Sequence, residues 1–366
     1  MRRARRWLGP GLAAALAAVP LAAGAQSPGA ARTCAIARDY WPTAGWRTAS
    51  AASQGINGAA LDSAFDLTAR RHPNVYALIV VRHAYVVGER YFGAHDSLET
   101  FDLRSATKSV TSMLVGIAVA RGKLRGVDEP ISRVVPEAFL GDSVDPRKRA
   151  ITLRHLLTMT SGIDWDERQA ARYLGGARSW PLAILERPMA ATPGRRFTYS
   201  SGNAHLLSVA VTRSTGERTL DFANEALFGP LGFHVPLADW PTDPEGVAAG
   251  GSALRLTARE MAKLGYLYLN DGCWDGVAVV PASWVRESTR AWSDPHGAGG
   301  AKDARYGFLW WLLPVDGHAA FMALGYGGQY IVVVPDLDLV IAVAADPARE
   351  GRQFDVVREI VGEADR

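Results

Sequence analysis

The sequence lacks most of the short motifs that mark a catalytic mechanism. It contains no Gly-x-Ser-x-Gly turn, which argues against the nucleophile of an α/β-hydrolase. The eight histidines are scattered without His-Glu-x-x-His spacing, and two cysteines, Cys34 and Cys273, cannot form a metal site by themselves. No Gly-x-x-x-x-Gly-Lys phosphate loop is present. We therefore expect neither a metal nor any other cofactor.

The sequence also has only one stretch that resembles a membrane or targeting segment, and it lies at the N-terminus. Four arginines within residues 1–6 precede an Ala/Leu-rich stretch over residues 8–22 and a small-x-small site at residues 23–25. This pattern is typical of a signal peptide cleaved near Ala25. Its apolar run is interrupted by proline and is shorter than the roughly 20 residues of a membrane span. We expect an exported protein, periplasmic or secreted, without a stable span in the mature chain.

Excess positive charge is lacking once that segment is set aside. Removal of residues 1–25 changes the formal net charge from +3 to −1, leaving 36 basic and 37 acidic residues. This balance gives no reason to expect a nucleic-acid partner. An oxidising compartment would permit a Cys34–Cys273 disulfide without requiring it. The oligomeric state stays open.

What the sequence does contain is enough apolar material for a large core. The chain has 366 residues, of which 48% are hydrophobic. After a lead-in over residues 26–49, residues 50–366 are predicted to form one domain, with strands near both ends and helices between them. Strands are predicted at 75–81, 84–91, 317–324, 329–334 and 337–344, and helices at 59–71, 105–121, 151–159, 203–215, 256–270 and 349–363. The order favours an α+β fold (an α/β sandwich) with one antiparallel sheet built from both termini and an inserted helical subdomain.

The most informative short motif is Ser-x-x-Lys, formed by Ser105 and Lys108 at the start of a predicted helix. Residues i and i+3 share a helix face, so the two side chains can meet. A serine hydroxyl needs a base to become a nucleophile, and a desolvated lysine can be that base. The alternative is a serine that caps the helix, followed by a surface lysine. The apolar residues that follow favour a buried lysine, which needs a partner.

Several motifs in order resemble the class C β-lactamase and DD-peptidase-like superfamily. Residues 104–112 read RSATKSVTS, residues 155–163 read HLLTMTSGI, and residues 193–201 read PGRRFTYSS. Gly250 and Gly251, with residues 256–263, resemble the start of a later helix of the family. Residues 325–329 read GYGGQ, where the family has its third motif before a strand. The resemblance covers roughly residues 50–345 and implies the β-lactamase/DD-peptidase-like fold.

The resemblance also implies catalytic roles. Ser105 would be acylated, and Lys108 with Tyr199 would move protons to and from it. The oxyanion hole would combine the Ser105 backbone N–H with one near Gly328. The candidate substrate-binding residues are Tyr326, Gly327, Gly328, Ser201 and Trp165. Trp310 and Trp311 are further candidates, with a place in the hydrophobic core as the alternative.

Two departures from the family pattern bear on the substrate. Ser201 stands where the family has the Asn of Tyr-x-Asn, and Asn203 is expected to cap the next helix instead. Gly325 stands where many relatives have a lysine or histidine. Such variants resemble the esterases and 6-aminohexanoate-dimer hydrolases of the superfamily, so we expect a serine hydrolase of small amides or esters. The alternatives are a D-Ala-D-Ala carboxypeptidase or weak β-lactamase, and a ligand-binding sensor without turnover.

Overall fold

A computed structural model of the chain describes residues 33–140, 144–295, 302–349 and 354–365. The predicted signal peptide lies outside the described residues. The strands are β1 Val75–Arg82, β2 Tyr85–Tyr91, β3 Phe101–Asp102, β4 Arg255–Leu256, β5 Cys273–Trp274, β6 Val277–Ala278, β7 Arg305–Tyr306, β8 Trp311–Leu312, β9 Phe321–Gly325, β10 Gln329–Val334 and β11 Leu339–Ala345. The α-helices are α1 Gly58–Arg71, α2 Thr107–Ala120, α3 Ile131–Val134, α4 Leu153–Leu157, α5 Ala170–Leu174, α6 Trp180–Glu186, α7 Ser201–Thr215, α8 Thr219–Ala223, α9 Ala258–Leu269, α10 Ala282–Ser288 and α11 Phe354–Ala364.

The main sheet joins the two ends of the chain. Its seven strands follow the order β2-β1-β11-β10-β9-β8-β7, and neighbouring strands are antiparallel. Strand β1, from the N-terminal part, pairs directly with β11, from the C-terminal part. Helices α2 to α10 lie between β2 and β7 in the sequence. The predicted α+β fold, with a sheet from both termini and an inserted helical region, is confirmed.

Both faces of the sheet are covered, because its central strands are apolar on both sides. In β1, Ala77 and Ile79 point into the larger core with α2, α7 and α9, while Leu78 and Val80 point into a second core with α1 and α11. All of these side chains are fully buried. The sheet is therefore a middle layer, and the helical insertion packs on one face only.

The lead-in before α1 is tied to the domain at several points. Thr33 forms an isolated bridge with Val277, and Thr48 forms one with Val86 of β2. A disulfide joins Cys34 to Cys273 in β5. The pairing that the sequence left open is thus made in the structure, across 239 residues of sequence.

The helix boundaries differ from the predicted ones for local reasons. Helix α9 begins at Ala258 because Thr257 and Glu260 form a capping box. Helix α7 begins at Ser201, since the Ser200 side chain accepts a hydrogen bond from the Asn203 N–H. The expectation that Asn203 is the cap was wrong: Ser200 takes that place, and Asn203 lies within the first turn.

Candidate active site

Ser105 lies on a tight turn between strand β3 and helix α2. The turn is a 3-10 helix over Arg104–Ala106, so the nucleophile candidate precedes the α-helix rather than beginning it. Arg104 has φ of +48°, a left-handed conformation that costs a non-glycine residue about 1–3 kcal/mol. The Asp102 carboxylate holds this conformation by accepting the Arg104 N–H at 2.7 Å. The strained turn presents Ser105 half-buried at the start of the helix.

Lys108 is fully buried, with 1% of the residue exposed. Its Nζ donates to Ser105 Oγ at 2.9 Å, to Ser201 Oγ at 2.9 Å and to the Gly251 carbonyl at 2.8 Å. An ammonium has three protons to donate, and each has an acceptor here. The structure therefore brings the predicted nucleophile, the predicted base and Ser201 together around one nitrogen.

The carbonyl that holds Lys108 comes from a pair of glycines pressed against helix α7. A Cβ on Gly251 would lie 2.8 Å from the Ser201 Cβ, and one on Gly250 would overlap the Ala204 carbonyl. The Gly250 carbonyl accepts the Thr111 hydroxyl of α2 at 2.8 Å. Only glycine allows this approach, so the pair fixes α2, α7 and the lysine acceptor relative to each other.

Glu167 is a member of the site that the sequence did not reveal. Its Oε1 accepts the Ser201 hydroxyl and lies 3.9 Å from Lys108 Nζ. Its Oε2 accepts the Ser201 N–H at 2.8 Å and the Trp165 indole N–H at 2.7 Å. In the sequence, Glu167 could be noticed only as a carboxylate two residues after Trp165, a candidate substrate-binding residue. No spacing rule links residue 167 to residue 201, so only the fold reveals the contact.

Trp165 and the pair Trp310–Trp311 have different environments. Trp165 is buried, packs edge-on against Tyr173 and orients Glu167 through its indole N–H. Trp310 is fully buried and stacks on Tyr268 with centroids 4.4 Å apart, so it is a core residue. Trp311 is half-buried and stacks on Tyr199. Only Trp311 of this pair borders the site.

Tyr199 meets Lys108 with its ring rather than its hydroxyl. The Lys108 Nζ lies 4.7 Å from the ring centroid. Trp311 stacks on the ring at 5.9 Å, and Tyr306 meets it edge-on at 6.3 Å. Among the described residues, none forms a hydrogen bond with the Tyr199 hydroxyl. Burial, reinforced by Tyr199 and Glu167, raises the pKa of Tyr306 well above its usual value and keeps it neutral beside the site.

The glycine-rich turn after β9 passes directly beside the turn that carries Ser105. A Cβ on Gly325 would overlap the Leu103 carbonyl and lie 3.2 Å from the Arg104 Cβ. Tyr326, the next residue, is 51% exposed. The Gly328 N–H donates to the Gly325 carbonyl at 3.3 Å, and Gly327 packs against residues 346–347. Of this run, Gly325 makes the close approach to the turn that carries Ser105.

Asn203, just beyond the predicted Tyr-x-Asn position, is buried and makes contacts of its own. Its Oδ1 accepts the Ser161 hydroxyl at 2.9 Å, and its amide lies 3.8 Å from the Met159 sulfur. It links α7 to the turn after α4.

Within the described ranges, no group of three or more His, Cys, Asp or Glu side chains is placed to hold a metal ion. Nor does the described part of the chain contain a helix long and apolar enough to cross a membrane.

Comparison with known proteins places this geometry in a family context. The chain is 25% identical over 287 residues to the 6-aminohexanoate-dimer hydrolase of Paenarthrobacter ureafaciens, covering 72% of this chain and 71% of that protein. It is 30% identical over 197 residues to esterase EstB of Burkholderia gladioli, covering 48% and 50%. The structure matches that of a candidate 6-aminohexanoate-dimer hydrolase from Bacillus anthracis with a TM-score of 0.68 and 20% identity, covering 82% and 81%. This last likeness shows the fold alone.

The sequence model of the beta-lactamase family matches residues 43–363, which is most of the chain and includes the candidate site. The antiparallel sheet, the helical insertion and the Ser105–Lys108 pair agree with that match. The relatives named above are a 6-aminohexanoate-dimer hydrolase and an esterase by name. The chain therefore belongs to the beta-lactamase family and is a serine hydrolase of that family.

Proposed function

We propose that the protein is an exported serine hydrolase that cleaves small amides or esters through an acyl-enzyme on Ser105. The observation that carries this proposal is the 2.9 Å contact between Ser105 Oγ and the Nζ of a fully buried lysine. A lysine held this way can take the serine proton once it is neutral, which makes the oxygen a nucleophile. The names of the relatives support amides and esters as the substrate class.

The reaction proposed has two halves. In the first, Lys108 takes the Ser105 proton as Oγ attacks the substrate carbonyl carbon. The leaving group then departs with a proton supplied by Lys108, with the Tyr199 hydroxyl as the proposed carrier. In the second half, water attacks the ester on Ser105 and the proton transfers run in the opposite direction, which frees the acid product.

Preorganised donors such as backbone N–H groups stabilise the negative oxygen of the tetrahedral intermediate, and we propose two of them here. We assign one to the Ser105 N–H at the start of the helical turn. Because Gly328 donates within its own turn, we assign the other to the Tyr326 N–H, which follows the glycine that touches the Leu103 carbonyl.

The export signal over residues 1–25 remains part of the proposal, and N-terminal mass spectrometry of the secreted protein tests it.

A fluorophosphonate probe and p-nitrophenyl butyrate test the nucleophile directly. Wild-type protein should be labelled on Ser105 and should turn over the ester, whereas Ser105→Ala should do neither. Ser109→Ala is the matched control, since it removes a buried hydroxyl one position beyond Lys108 that donates to the Leu309 carbonyl instead. Turnover by Ser105→Ala near the wild-type rate would refute the acyl-enzyme. A sensor without turnover would show no labelling and no hydrolysis in any variant.

A further inference from the structure

A continuous chain of polar contacts runs from the nucleophile to a carboxylate. Ser105 Oγ contacts Lys108 Nζ at 2.9 Å, Lys108 Nζ contacts Ser201 Oγ at 2.9 Å, and Ser201 Oγ donates to Glu167 Oε1. Neither a direct lysine–carboxylate hydrogen bond nor solvent is needed to connect the ends, because Ser201 stands between them. This series of polar contacts ends at Glu167.

Ser201 is suited to pass a proton, since a hydroxyl accepts one hydrogen bond while it donates another. In this site it accepts from Lys108 and donates to Glu167. It occupies the position where the Tyr-x-Asn pattern would place an amide. An amide nitrogen carries two protons and no free lone pair for a third, so Asn at residue 201 could not relay in this way.

Glu167 is held firmly in the position that this relay requires. The Ser201 N–H at the first turn of α7 and the Trp165 indole N–H both bind Oε2, which leaves Oε1 directed at the Ser201 hydroxyl. The start of a helix favours a carboxylate by its dipole. The Glu167 side chain is 34% exposed, whereas that of Lys108 is 1% exposed.

We propose that Glu167 and Ser201 are positioning residues that prepare Lys108 as the base by taking its surplus proton. This inference rests on the proposed function. As the Lys108 ammonium gives a proton to Ser201 Oγ, the Ser201 hydroxyl proton passes to Glu167 Oε1. The ion pair becomes a neutral amine and a neutral carboxylic acid, with no change in the number of protons in the site. Neutral Lys108 then takes the Ser105 proton.

This arrangement predicts an unusual dependence on pH. Other ionisable groups facing Glu167 are Lys108, Tyr306 and the adjacent Tyr199, while the Asp166–Arg168 pair lies on its own turn. With the relay, the proton of Lys108 stays in the site, so the neutral amine forms without loss of a proton to solvent. Without the carboxylate that proton must go to solvent. The rise of kcat/KM with pH should then move to the alkaline range.

The test compares Glu167→Gln with wild-type protein by kcat and KM for p-nitrophenyl butyrate across pH. We expect a fall in kcat/KM at neutral pH of about 10- to 100-fold, mostly in kcat, with partial recovery at alkaline pH. Glu167→Asp, which keeps the carboxylate, should retain more activity than Glu167→Gln. Asp166→Asn is the matched control, because its carboxylate caps the same turn and pairs with Arg168. It should keep the wild-type pH profile.

The second variant removes the bridge instead of the acceptor. Ser201→Ala should lose activity to a similar degree, Ser201→Thr should restore part of it, and the double variant with Glu167→Gln should be no worse than either single variant. If Glu167→Gln keeps wild-type kcat/KM and an unchanged pH profile, or loses only KM, the relay is wrong. If Glu167→Gln does not fold, wild-type kcat/KM in Ser201→Ala refutes the relay instead. Fluorophosphonate labelling separates the two proposals. If wild-type protein is not labelled on Ser105, the proposed hydrolase itself is refuted.

Discussion

The amine of Lys108 lies over the ring face of Tyr199, 4.7 Å from its centroid, while the same amine donates to Ser105. The ring is fixed on its other sides by Trp311 and Tyr306. Because the position of the ring depends on aromatic packing and not on a hydrogen bond, the Tyr199 hydroxyl is not needed to hold the side chain in place. The contribution of the Tyr199 ring to packing can therefore be measured separately from the contribution of its hydroxyl to catalysis.

Tyr199→Phe should keep the fold and lose catalysis. The aromatic packing remains, so the melting temperature should stay close to the wild-type value. Turnover should fall by about a hundredfold, as loss of acid–base help does. The fall should be greater for an anilide than for p-nitrophenyl butyrate, since the poorer leaving group needs the proton more. Tyr330→Phe, on strand β10, is the control. Equal, small losses for both substrates would show that the hydroxyl carries no proton.

β-Lactams should be much poorer substrates than simple esters. Relatives that bind them hold the β-lactam carboxylate with a polar or cationic side chain of the third motif, and here that run is Gly325, Tyr326 and Gly327. A lost charge-assisted hydrogen bond weakens binding by about 1.5–3 kcal/mol. We expect kcat/KM for nitrocefin to lie well below that for p-nitrophenyl butyrate on one preparation. The reverse preference would return the chain to the β-lactamases or D-Ala-D-Ala peptidases.

Removal of the Cys34–Cys273 disulfide should lower the free energy of unfolding by about 2–5 kcal/mol. The bond closes a loop of 239 residues, so the oxidised chain has a more restricted unfolded state. Urea unfolding of the Cys34→Ser/Cys273→Ser variant against wild-type protein measures the effect. Reductant should lower the free energy of unfolding of wild-type protein and leave that of the double variant unchanged. Identical unfolding curves for wild-type protein with and without reductant would contradict the bond.

The buried His205–Asp243 pair should make the protein labile in acid. Burial by itself raises the pKa of Asp243, but the bond from His205 and the N–H groups of Val247 and Glu245 outweigh it and leave that pKa below its usual value. A carboxylate of this kind stabilises the fold above its unfolded pKa of about 3.9 and loses that contribution as pH falls through the folded pKa.

Asp243→Asn should therefore destabilise the protein at pH 7 by about 1–3 kcal/mol, and the difference from wild-type protein should shrink below about pH 4. Urea unfolding at several pH values measures it. Asp336→Asn, at an exposed carboxylate that also pairs with a histidine, His318, is the control. A deficit that stays constant down to acidic pH would show that the charge of Asp243 is not what stabilises the pair.

The sequence was sufficient for the parts of the fold that repeat a local pattern. Strands β1 and β10 are alternating or continuous apolar runs, and α9 carries a capping box, so their positions follow from nearby residues. Strands β7 and β8 were not predicted, because each has two residues and is defined only by its partner. Strands of two residues leave no periodic signal in the sequence.

The same distinction holds within the site. Ser105 and Lys108 are three residues apart on one turn, so their contact was predictable. Glu167 reaches Ser201 across 34 residues, and the Gly251 carbonyl reaches Lys108 across 143. A backbone carbonyl has no sequence signature, and a glutamate in a loop is usually solvated. Those partners are set by tertiary packing.

The pairing of β1 with β11 has a consequence for how the protein can be made. Strand β1 is synthesised more than 250 residues before β11, one of its two neighbours in the sheet, and Gly325, which abuts the turn that carries Ser105, is also synthesised late. No N-terminal portion can complete the sheet by itself, so a nascent chain cannot acquire activity in stages. Such distant pairing slows folding. A truncation before Leu339 would remove β11, the strand that lies between β1 and β10, and would separate β1 and β2 from the rest of the sheet. The lost strand lies more than 230 residues downstream of the turn that carries Ser105.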